Sequence, residues 1–171
     1  EKELTDINAL CDEYVRLAYH GMRARDKSFS AEYRLDLDPD LSKIRVVPQD
    51  FGRVLLNIIN NGFQACTERS LRATSDEALA KGDTNYHPEV TISTKQLGEH
   101  IEIRIADNGS GIPDQIKSKI FQPFFTTKPT GQGTGLGLSL SYDIIQAHGG
   151  EIEVESEKEQ GTSFIVRLPV I

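Results

Sequence analysis

Hydrophobic side chains recur along the chain with two periods, and each period predicts a different kind of element. Steps of three and four residues are typical of a helix with one buried face, whereas strict alternation is typical of a half-buried strand. The first pattern predicts helices over residues 5–25, 51–68 and 136–148, with a short helical piece at 113–120. The second predicts strands over residues 33–37, 43–47, 90–95, 101–105, 152–154 and 164–168. Turn residues predict hairpins at 38–40 and 97–100 and join the last two strands near 159–161.

The strand that begins at Ile101 ends in a carboxylate on its apolar side. Ile101, Ile103 and Ile105 share one face, and the same alternation places Asp107 on it. A carboxylate on a buried face is costly unless the protein or a ligand supplies a donor. The glycines of D-N-G-S-G let the chain turn sharply and bring its backbone close to whatever the carboxylate binds. The stretch predicts a pocket floor with one specific acceptor, or alternatively a capping aspartate in a tight turn.

The helix from Phe51 carries a polar stripe as well as an apolar one. Steps of four, four and three residues place these side chains on one face: Arg53, Asn57, Asn61 and Gln64. Asparagine is unfavourable in a helix interior, and Gly62 costs about 1 kcal/mol relative to alanine. This stretch therefore has a lower intrinsic helix propensity than its position in a helix requires. Two stacked amide carbonyls, those of Asn57 and Asn61, could be hard oxygen ligands for Mg²⁺. The alternative is a solvated polar face.

A glycine-rich loop, G-Q-G-T-G-L-G-L from Gly131, runs directly into the helix at 136–148. Such a loop presents free backbone N–H groups and the positive end of the helix dipole to an anion. It lacks the G-K-[ST] ending of the Walker loop and the G-x-G-x-x-G spacing of the dinucleotide fingerprint. The loop therefore predicts a phosphate site of neither common type.

Composition narrows the choice of partners. The net charge of −7, from 26 acidic and 19 basic residues, argues against a nucleic-acid surface. The 171 residues, 37% of them hydrophobic, suffice for one domain, or for one domain with a leader. The sequence shows no long apolar span, so no direct membrane contact is expected. Cys11 and Cys66 lack metal-type spacing and fit a reducing, cytoplasmic location. The chain starts at Glu1 without a methionine, so a longer, membrane-anchored protein stays open.

Four motifs occur in order along the chain: N-x-x-x-N, D-N-G-S-G, F-Q-P-F-F-T-T-K and G-T-G-L-G-L. Together they resemble the N box, first glycine box, F box and second glycine box of the GHKL, or Bergerat-fold, ATP-binding domain of two-component sensor histidine kinases. The resemblance spans residues 43–169. It implies an α/β (α+β) two-layer sandwich, with a mixed, mostly antiparallel sheet packed against about three helices. It divides the chain into a leader helix (1–28) from the dimerisation and phosphoacceptor region and an ATP-binding catalytic domain (29–171).

The same resemblance implies the cofactors ATP and Mg²⁺ and a role for each motif. Asp107 would accept from the adenine amine while Gly109 and Gly111 make room for the base, and Asn61 would hold Mg²⁺ with support from Asn57. Backbone N–H groups of residues 134–137 would bind phosphates at the hinge of a lid over 121–133. Lys128, the lid's only cation, would contact the terminal phosphates, with a solvated lysine as the alternative. The other implied ATP contacts are Ile112, Phe121, Thr127, Gly133, Thr134, Gly135, Leu136, Gly137 and Leu138.

The resemblance also implies an ATP-dependent protein histidine kinase. Hydrolytic relatives carry a glutamate as general base where this chain has Asn57, and an amide cannot take a proton from water. Transfer of the γ-phosphate is therefore expected, with Asn57 and Lys128 as catalytic residues and positioning as the main contribution. No histidine stands in a phosphoacceptor context (His20, His87, His100, His148). The expected partners are an upstream dimerisation and histidine-phosphotransfer domain and a response regulator.

Two alternative functions would be distinguished by what happens to the phosphate of ATP. A GHKL ATPase clamp would release phosphate steadily, and a silent docking module would bind ATP without passing on a phosphate. Three features depart from the family pattern: Gly62 replaces the usual alanine, the lid is short and lacks arginine, and residues 67–88 are longer than a minimal domain needs. These departures concern lid contacts and regulation rather than nucleotide binding.

Overall fold

The computed structural model describes residues 1–73, 86–123, 125 and 137–170. Helices and strands alternate irregularly along these residues. In chain order the elements are β1 (Glu3–Thr5), α1 (Ile7–Arg25), β2 (Glu32–Asp36), β3 (Ile44–Val46), α2 (Pro48–Ala73), β4 (Glu89–Leu97), β5 (His100–Asp107), α3 (Asp114–Lys117), α4 (Gly137–Ala147), β6 (Glu151–Glu157) and β7 (Gly161–Pro169).

Five strands form one mixed sheet in the order β2-β4-β5-β7-β6. Only the β2–β4 pair among them is parallel, and the other neighbours are antiparallel. The predicted β4–β5 hairpin and the pairing of the last two strands are confirmed. Helices lie against one face, so the described chain has the expected α+β architecture with a mostly antiparallel sheet.

The predicted hairpin between residues 33–37 and 43–47 is wrong. Strand β2 pairs with β4, whereas β3 pairs with β1 in a separate two-stranded sheet. The turn at Asp38 is bonded to β4 instead of closing a hairpin: its N–H donates to Thr94 Oγ1 at 2.9 Å, and Gln96 N–H donates to its Oδ2 at 2.9 Å. The turn residues are a correct local signal, but their partners lie more than fifty residues away along the chain.

The core lies between the sheet and helix α2. The isoleucines of β5 are buried as their alternation predicts, and α2 buries its apolar stripe against β4 and β5. This helix runs from Pro48 to Ala73, five residues beyond the predicted end. Its position fixes where its polar stripe meets the end of the sheet.

Helix α1 packs on α2 and shares the same core. Asp6 caps it by accepting from Ala9 N–H at 3.1 Å. A Cβ at Gly52 of α2 would collide with the ring of Tyr14, so the glycine permits the close approach of the two helices. The buried hydrophobic residues of the leader are Ile7, Cys11, Val15 and Ala18. The leader and the rest of the chain thus form one packed unit, and the predicted origin of residues 1–28 in a dimerisation region stays a prediction.

Candidate functional site

Asp107 is the last residue of β5 and lies at the meeting point of three elements. It pairs with Thr162 of β7, and a Cβ added at Gly62 of α2 would lie 3.5 Å from its Oδ2. Gly109 N–H donates to Oδ1 at 2.9 Å, and Thr162 N–H also donates to the carboxylate. Burial nevertheless raises the pKa of Asp107 to about 7, because these two donors do not replace the lost solvent.

Both interpretations of the D-N-G-S-G stretch therefore describe part of its geometry. The bond from Gly109 N–H to Asp107 is the tight-turn interaction of the alternative. It does not satisfy the carboxylate, since the pKa remains well above the ordinary value of 3.8. A ligand that donates to Asp107 would stabilise the ionised form, which is the behaviour of a specific acceptor.

The two glycines of the loop are needed because protein backbone packs against them. A Cβ at Gly109 would lie 2.6 Å from the carbonyl carbon of Ala65, and one at Gly111, whose φ is +74°, would collide with the carbonyl oxygen of Glu157. Ser110 N–H donates to Ala65 O at 3.3 Å and holds the loop on α2. The loop is thus held between α2 and the β6–β7 turn, and a role of the glycines in accommodating a base stays a prediction.

Asn108 holds the returning chain against this loop, a role that sequence reasoning missed. Its Oδ1 accepts from Glu89 N–H at 2.8 Å, and its Nδ2 donates to His87 O at 2.8 Å. Arg69 of α2 donates to Asn108 O at 2.8 Å and places its guanidinium 4.4 Å from the ring centroid of Tyr86. The end of the long 67–88 region and the start of β4 are thereby fixed beside Asp107. The asparagine between aspartate and glycine was the available signal, but its partners are distant in sequence.

The polar stripe of α2 contains amide oxygens that no described residue pairs. Asn57 Nδ2 donates to Gly137 O at 3.3 Å, which joins α2 to the first residue of α4. Asn60 Oδ1 and Gln64 Oε1 are buried and have no hydrogen-bond partner within residues 1–73, 86–123, 125 and 137–170. Asn60 was missed, although it lies three residues after Asn57 and four before Gln64, so the helical period could have placed it on the same stripe. Unpaired buried carbonyls of this kind are costly unless a ligand completes them.

The amide side chains of this stripe fit a hydrated Mg²⁺ shared with phosphates better than a protein-enclosed metal. Within the part of the chain that the structure describes, no three His, Cys, Asp or Glu side chains are grouped to hold a metal. Mg²⁺ prefers oxygen ligands, keeps several waters and often completes its shell with phosphate oxygens. Neutral amide oxygens, such as those of Asn57 and Asn61, would leave its charge available to such phosphates.

Comparison with known proteins decides the family. The sequence model of the family described as "Histidine kinase-, DNA gyrase B-, and HSP90-like ATPase" matches residues 46–171. The chain belongs to this family. This ATPase domain is 37% identical over 166 residues to the signal transduction histidine-protein kinase AtoS of Escherichia coli K12, covering 96% of the chain and 23% of AtoS. It is 31% identical over 169 residues to the sensor protein FixL of Bradyrhizobium diazoefficiens, covering 99% of the chain and 29% of FixL.

A solved structure agrees with these relatives. The nucleotide-free catalytic domain of the histidine kinase ThkA superposes with a TM-score of 0.72 at 26% identity, covering 99% of this chain and 96% of that one. The predicted family and fold are confirmed, and the chain is an ATPase catalytic domain of the sensor-histidine-kinase type. It spans less than a third of the length of AtoS or FixL.

The remaining predicted ATP contacts of this ATPase domain fall into two groups. Ile112, Phe121 and Leu138 are partly buried and pack against the core. Phe121 lies 5.6 Å from the ring of Tyr142 in α4, and Gly137 begins α4 beside Asn57. Most of the lid (residues 121–133) and of the glycine-rich loop lies outside the described residues, and the contacts that fall there are Thr127, Lys128, Gly133, Thr134, Gly135 and Leu136.

A separate cavity of about 320 Å³ opens at the other end of the sheet, where β5 begins. It is lined by Leu97, His100, Gly149, Gly150, Glu151 and Arg167. Arg167 is paired there with Glu153 at 3.0 Å, which leaves the cavity without a free charge from this side chain. Among the described helices, none is long and apolar enough to cross a membrane.

Proposed function

We propose that this domain binds ATP with the adenine amine at Asp107 and transfers the γ-phosphate to a histidine outside this chain. The observation that carries the proposal is the position of Asp107: a poorly satisfied carboxylate beside a helix in which two buried amide oxygens have no partner among the described residues. Asp107 can accept from a further hydrogen-bond donor, and the amide oxygens of α2 are suited to bind a cation. Mg-ATP has both.

Asn57 supports transfer over hydrolysis. Its Nδ2 donates to Gly137 O, so this position of α2 uses a side chain that is a donor and not a base. A glutamate here would place a carboxylate oxygen against a backbone carbonyl. The site therefore positions and neutralises the phosphates without activating water, which suits phosphoryl transfer. Asn57 and Lys128 are the proposed catalytic residues.

At the phosphate end, Asn61 and Asn57 are the proposed Mg²⁺ ligands. Bound Mg²⁺ would neutralise charge that develops on the phosphoryl group. Helix α4 begins at Gly137, beside Asn57, so its N-terminal dipole is directed toward the same end of the site. Backbone N–H groups of residues 134–137 are proposed to bind the phosphates, and residues 121–133 to close over them.

The acceptor histidine is proposed to lie on a dimerisation domain upstream, with onward relay to a response regulator. His148 is an unsuitable acceptor, because its Nδ1 bonds Ile144 O at 2.7 Å and its Nε2 accepts from Val47 N–H at 3.1 Å. Residues 1–28 are proposed to connect that domain to residues 29–171. The relatives are named as sensor proteins and signal transduction kinases, which supports this arrangement. The expected cytoplasmic location stays a prediction.

Calorimetric titration of ATP and GTP, with and without Mg²⁺, tests the nucleotide site. The proposal expects micromolar-range ATP binding that weakens without metal, excludes GTP and is lost in Asp107→Asn. Failure of wild type to bind ATP, or equal binding by Asp107→Asn, would contradict the adenine assignment. Steady Mg²⁺-dependent phosphate release would instead favour the ATPase clamp. Binding without transfer of label to a cognate histidine domain would favour the silent docking module.

A further inference from the structure

Two buried hydroxyl groups lie on the two strands that follow Asp107 across the sheet, β7 and β6. Ser156 of β6 and Thr162 of β7 are paired residues, 8% and 5% exposed, and their hydroxyl oxygens lie 2.8 Å apart. Thr162 is also the pairing partner of Asp107, so the side chains of Thr162 and Asp107 stand side by side on the same face. The hydroxyl of Thr162 therefore belongs to the wall of the proposed base subsite.

Ser156 Oγ makes three contacts, and its single proton can serve only one of them. Ile112 N–H donates to it at 2.7 Å, Gly161 O lies at 3.0 Å, and Thr162 Oγ1 lies at 2.8 Å. Gly161 O cannot donate, so this contact is a hydrogen bond only if Ser156 uses its proton there. Ser156 then accepts from Thr162 as well as from Ile112, and all three contacts are hydrogen bonds.

This arrangement fixes the direction of the Thr162 hydroxyl. Its proton is directed at Ser156, so its oxygen retains only lone pairs for other partners. The neighbouring Asp107 is an acceptor as well when ionised. A base edge placed here meets two acceptors, which favours an amino group and disfavours a carbonyl oxygen, because an unmatched pair of acceptors is costly when buried.

We propose that Ser156 is a positioning residue that holds the Thr162 hydroxyl as an acceptor and so makes the base subsite select a 6-amino purine over a 6-oxo purine. The inference rests on the proposed function, since it specifies how the same site would distinguish adenine. Ser156 acts through Thr162 and does not itself contact the base.

The test is the ratio of the dissociation constants for ITP and ATP, in which a carbonyl replaces the amino group at position 6 and N1 becomes protonated. The change at N1 is common to all variants, so the change of the ratio from one variant to another is the readout. Ser156→Ala frees the Thr162 proton to donate to the carbonyl of ITP, so the ITP/ATP ratio is expected to fall about fivefold, the size expected for one hydrogen bond. Loss of the Ile112 contact should weaken both nucleotides equally and leave the ratio unchanged. Ser163→Ala is the matched control, since Ser163 is the next residue of β7 and faces the other side of the sheet.

Thr162→Val removes the same acceptor without disturbing the bond from Ile112 to Ser156. It should lower the ratio to a similar extent, and Thr162→Ser, which keeps the hydroxyl, should restore it. Adding Ser156→Ala to Thr162→Val should change the ratio no further, because Ser156 would have no hydroxyl left to orient. These variants keep the inference testable if Ser156→Ala fails to fold.

The outcomes separate this inference from the proposed function. If wild type binds ATP and Asp107→Asn does not, the proposed nucleotide site holds. In that case, if Ser156→Ala or Thr162→Val has the same ITP/ATP ratio as wild type, the role of Ser156 is overturned and the nucleotide site is not. If wild type binds neither nucleotide, the proposed function fails, and the inference that rests on it fails too.

Discussion

The two ends of the site differ in how far the protein satisfies its own polar groups. At the proposed base end the hydroxyl of Ser156 and the amide of Asn108 bond other parts of the chain, and Gly109 N–H holds Asp107 in place, although its carboxylate is not fully satisfied. Along α2, Asn60 Oδ1 and Gln64 Oε1 are buried and have no partner among the described residues. The loop at Asp107 is bonded internally before a ligand arrives, whereas the helix keeps buried oxygens that the described residues leave unpaired.

This difference predicts where each part of the affinity comes from. A preformed base subsite loses little freedom on binding and discriminates by the direction of its hydrogen bonds. The proposed phosphate end, with the amide oxygens of Asn57 and Asn61, gains most from a cation, because the cation binds the amide oxygens and the phosphates together. Binding of the base should therefore depend on Asp107 and on pH, and binding of the phosphates on metal.

The largest expected effect is that of Asp107→Asn, which would remove the charged hydrogen-bond acceptor of the proposed base subsite. The substitution removes a charged acceptor and presents an amide N–H to the adenine amine, so ATP affinity should fall about 10- to 100-fold. Isothermal titration with Mg-ATP measures it. Asp143→Asn on the exposed side of α4 is the control for the charge change. An equal loss in both variants would show that net charge, and not the acceptor, matters.

The pH dependence of binding should be the next largest effect. The pKa of Asp107 is raised to about 7, so the free domain protonates this carboxyl as pH falls through 7. The ionised form binds the amine, and affinity should be about tenfold lower at pH 6 than at pH 8. Adenosine should be the ligand, because it has no phosphates that titrate in this range. A flat profile from pH 6 to 8 would place the carboxyl pKa outside this range.

Stability should change with pH in the opposite sense. A carboxyl whose folded pKa exceeds its unfolded value of 3.8 stabilises the fold below pH 3.8, and that contribution is lost as pH rises through about 7. Asp107→Asn cannot ionise and should be more stable than wild type at pH 8, with the difference shrinking toward pH 5. Urea unfolding of the ligand-free proteins at both pH values measures this. A constant difference would assign the effect to packing and not to ionisation.

Removal of Mg²⁺ should affect only the phosphate end. Chelation should weaken ATP about fivefold, roughly 1 kcal/mol, and leave adenosine unchanged. Asn61→Ala should weaken Mg-ATP to a similar extent and be insensitive to chelation. Gln49→Ala, near the start of the same helix, is the control. If adenosine also loses affinity without metal, the two ends are not independent.

The parts of this site that could be predicted from sequence are those with a local period. Alternation along β5 placed Asp107 on the buried face, and the helical step placed Asn57 and Asn61 together. The turn residues at Asp38 led to a wrong hairpin prediction, because a turn does not determine which strand its residues will bond. The contacts of Asn108 and Ser156 could not be predicted from sequence, since each depends on partners that only the folded sheet brings near.

The smallest expected effect is that of Gly62→Ala, which tests how rigid the base end is. Alanine should gain about 1 kcal/mol of helix propensity over glycine. Its Cβ would lie 3.3 Å from Val90 Cγ2 and 3.4 Å from Asp107 Cβ, so these neighbours must move by a few tenths of an ångström. If they can, unfolding in urea should show a net stabilisation below about 1 kcal/mol, with ATP affinity within about twofold of wild type. If the base end is as firmly held as its hydrogen bonds indicate, the methyl group displaces Asp107 instead. Both stability and adenosine affinity would then fall, while the dependence on Mg²⁺ would stay as in wild type.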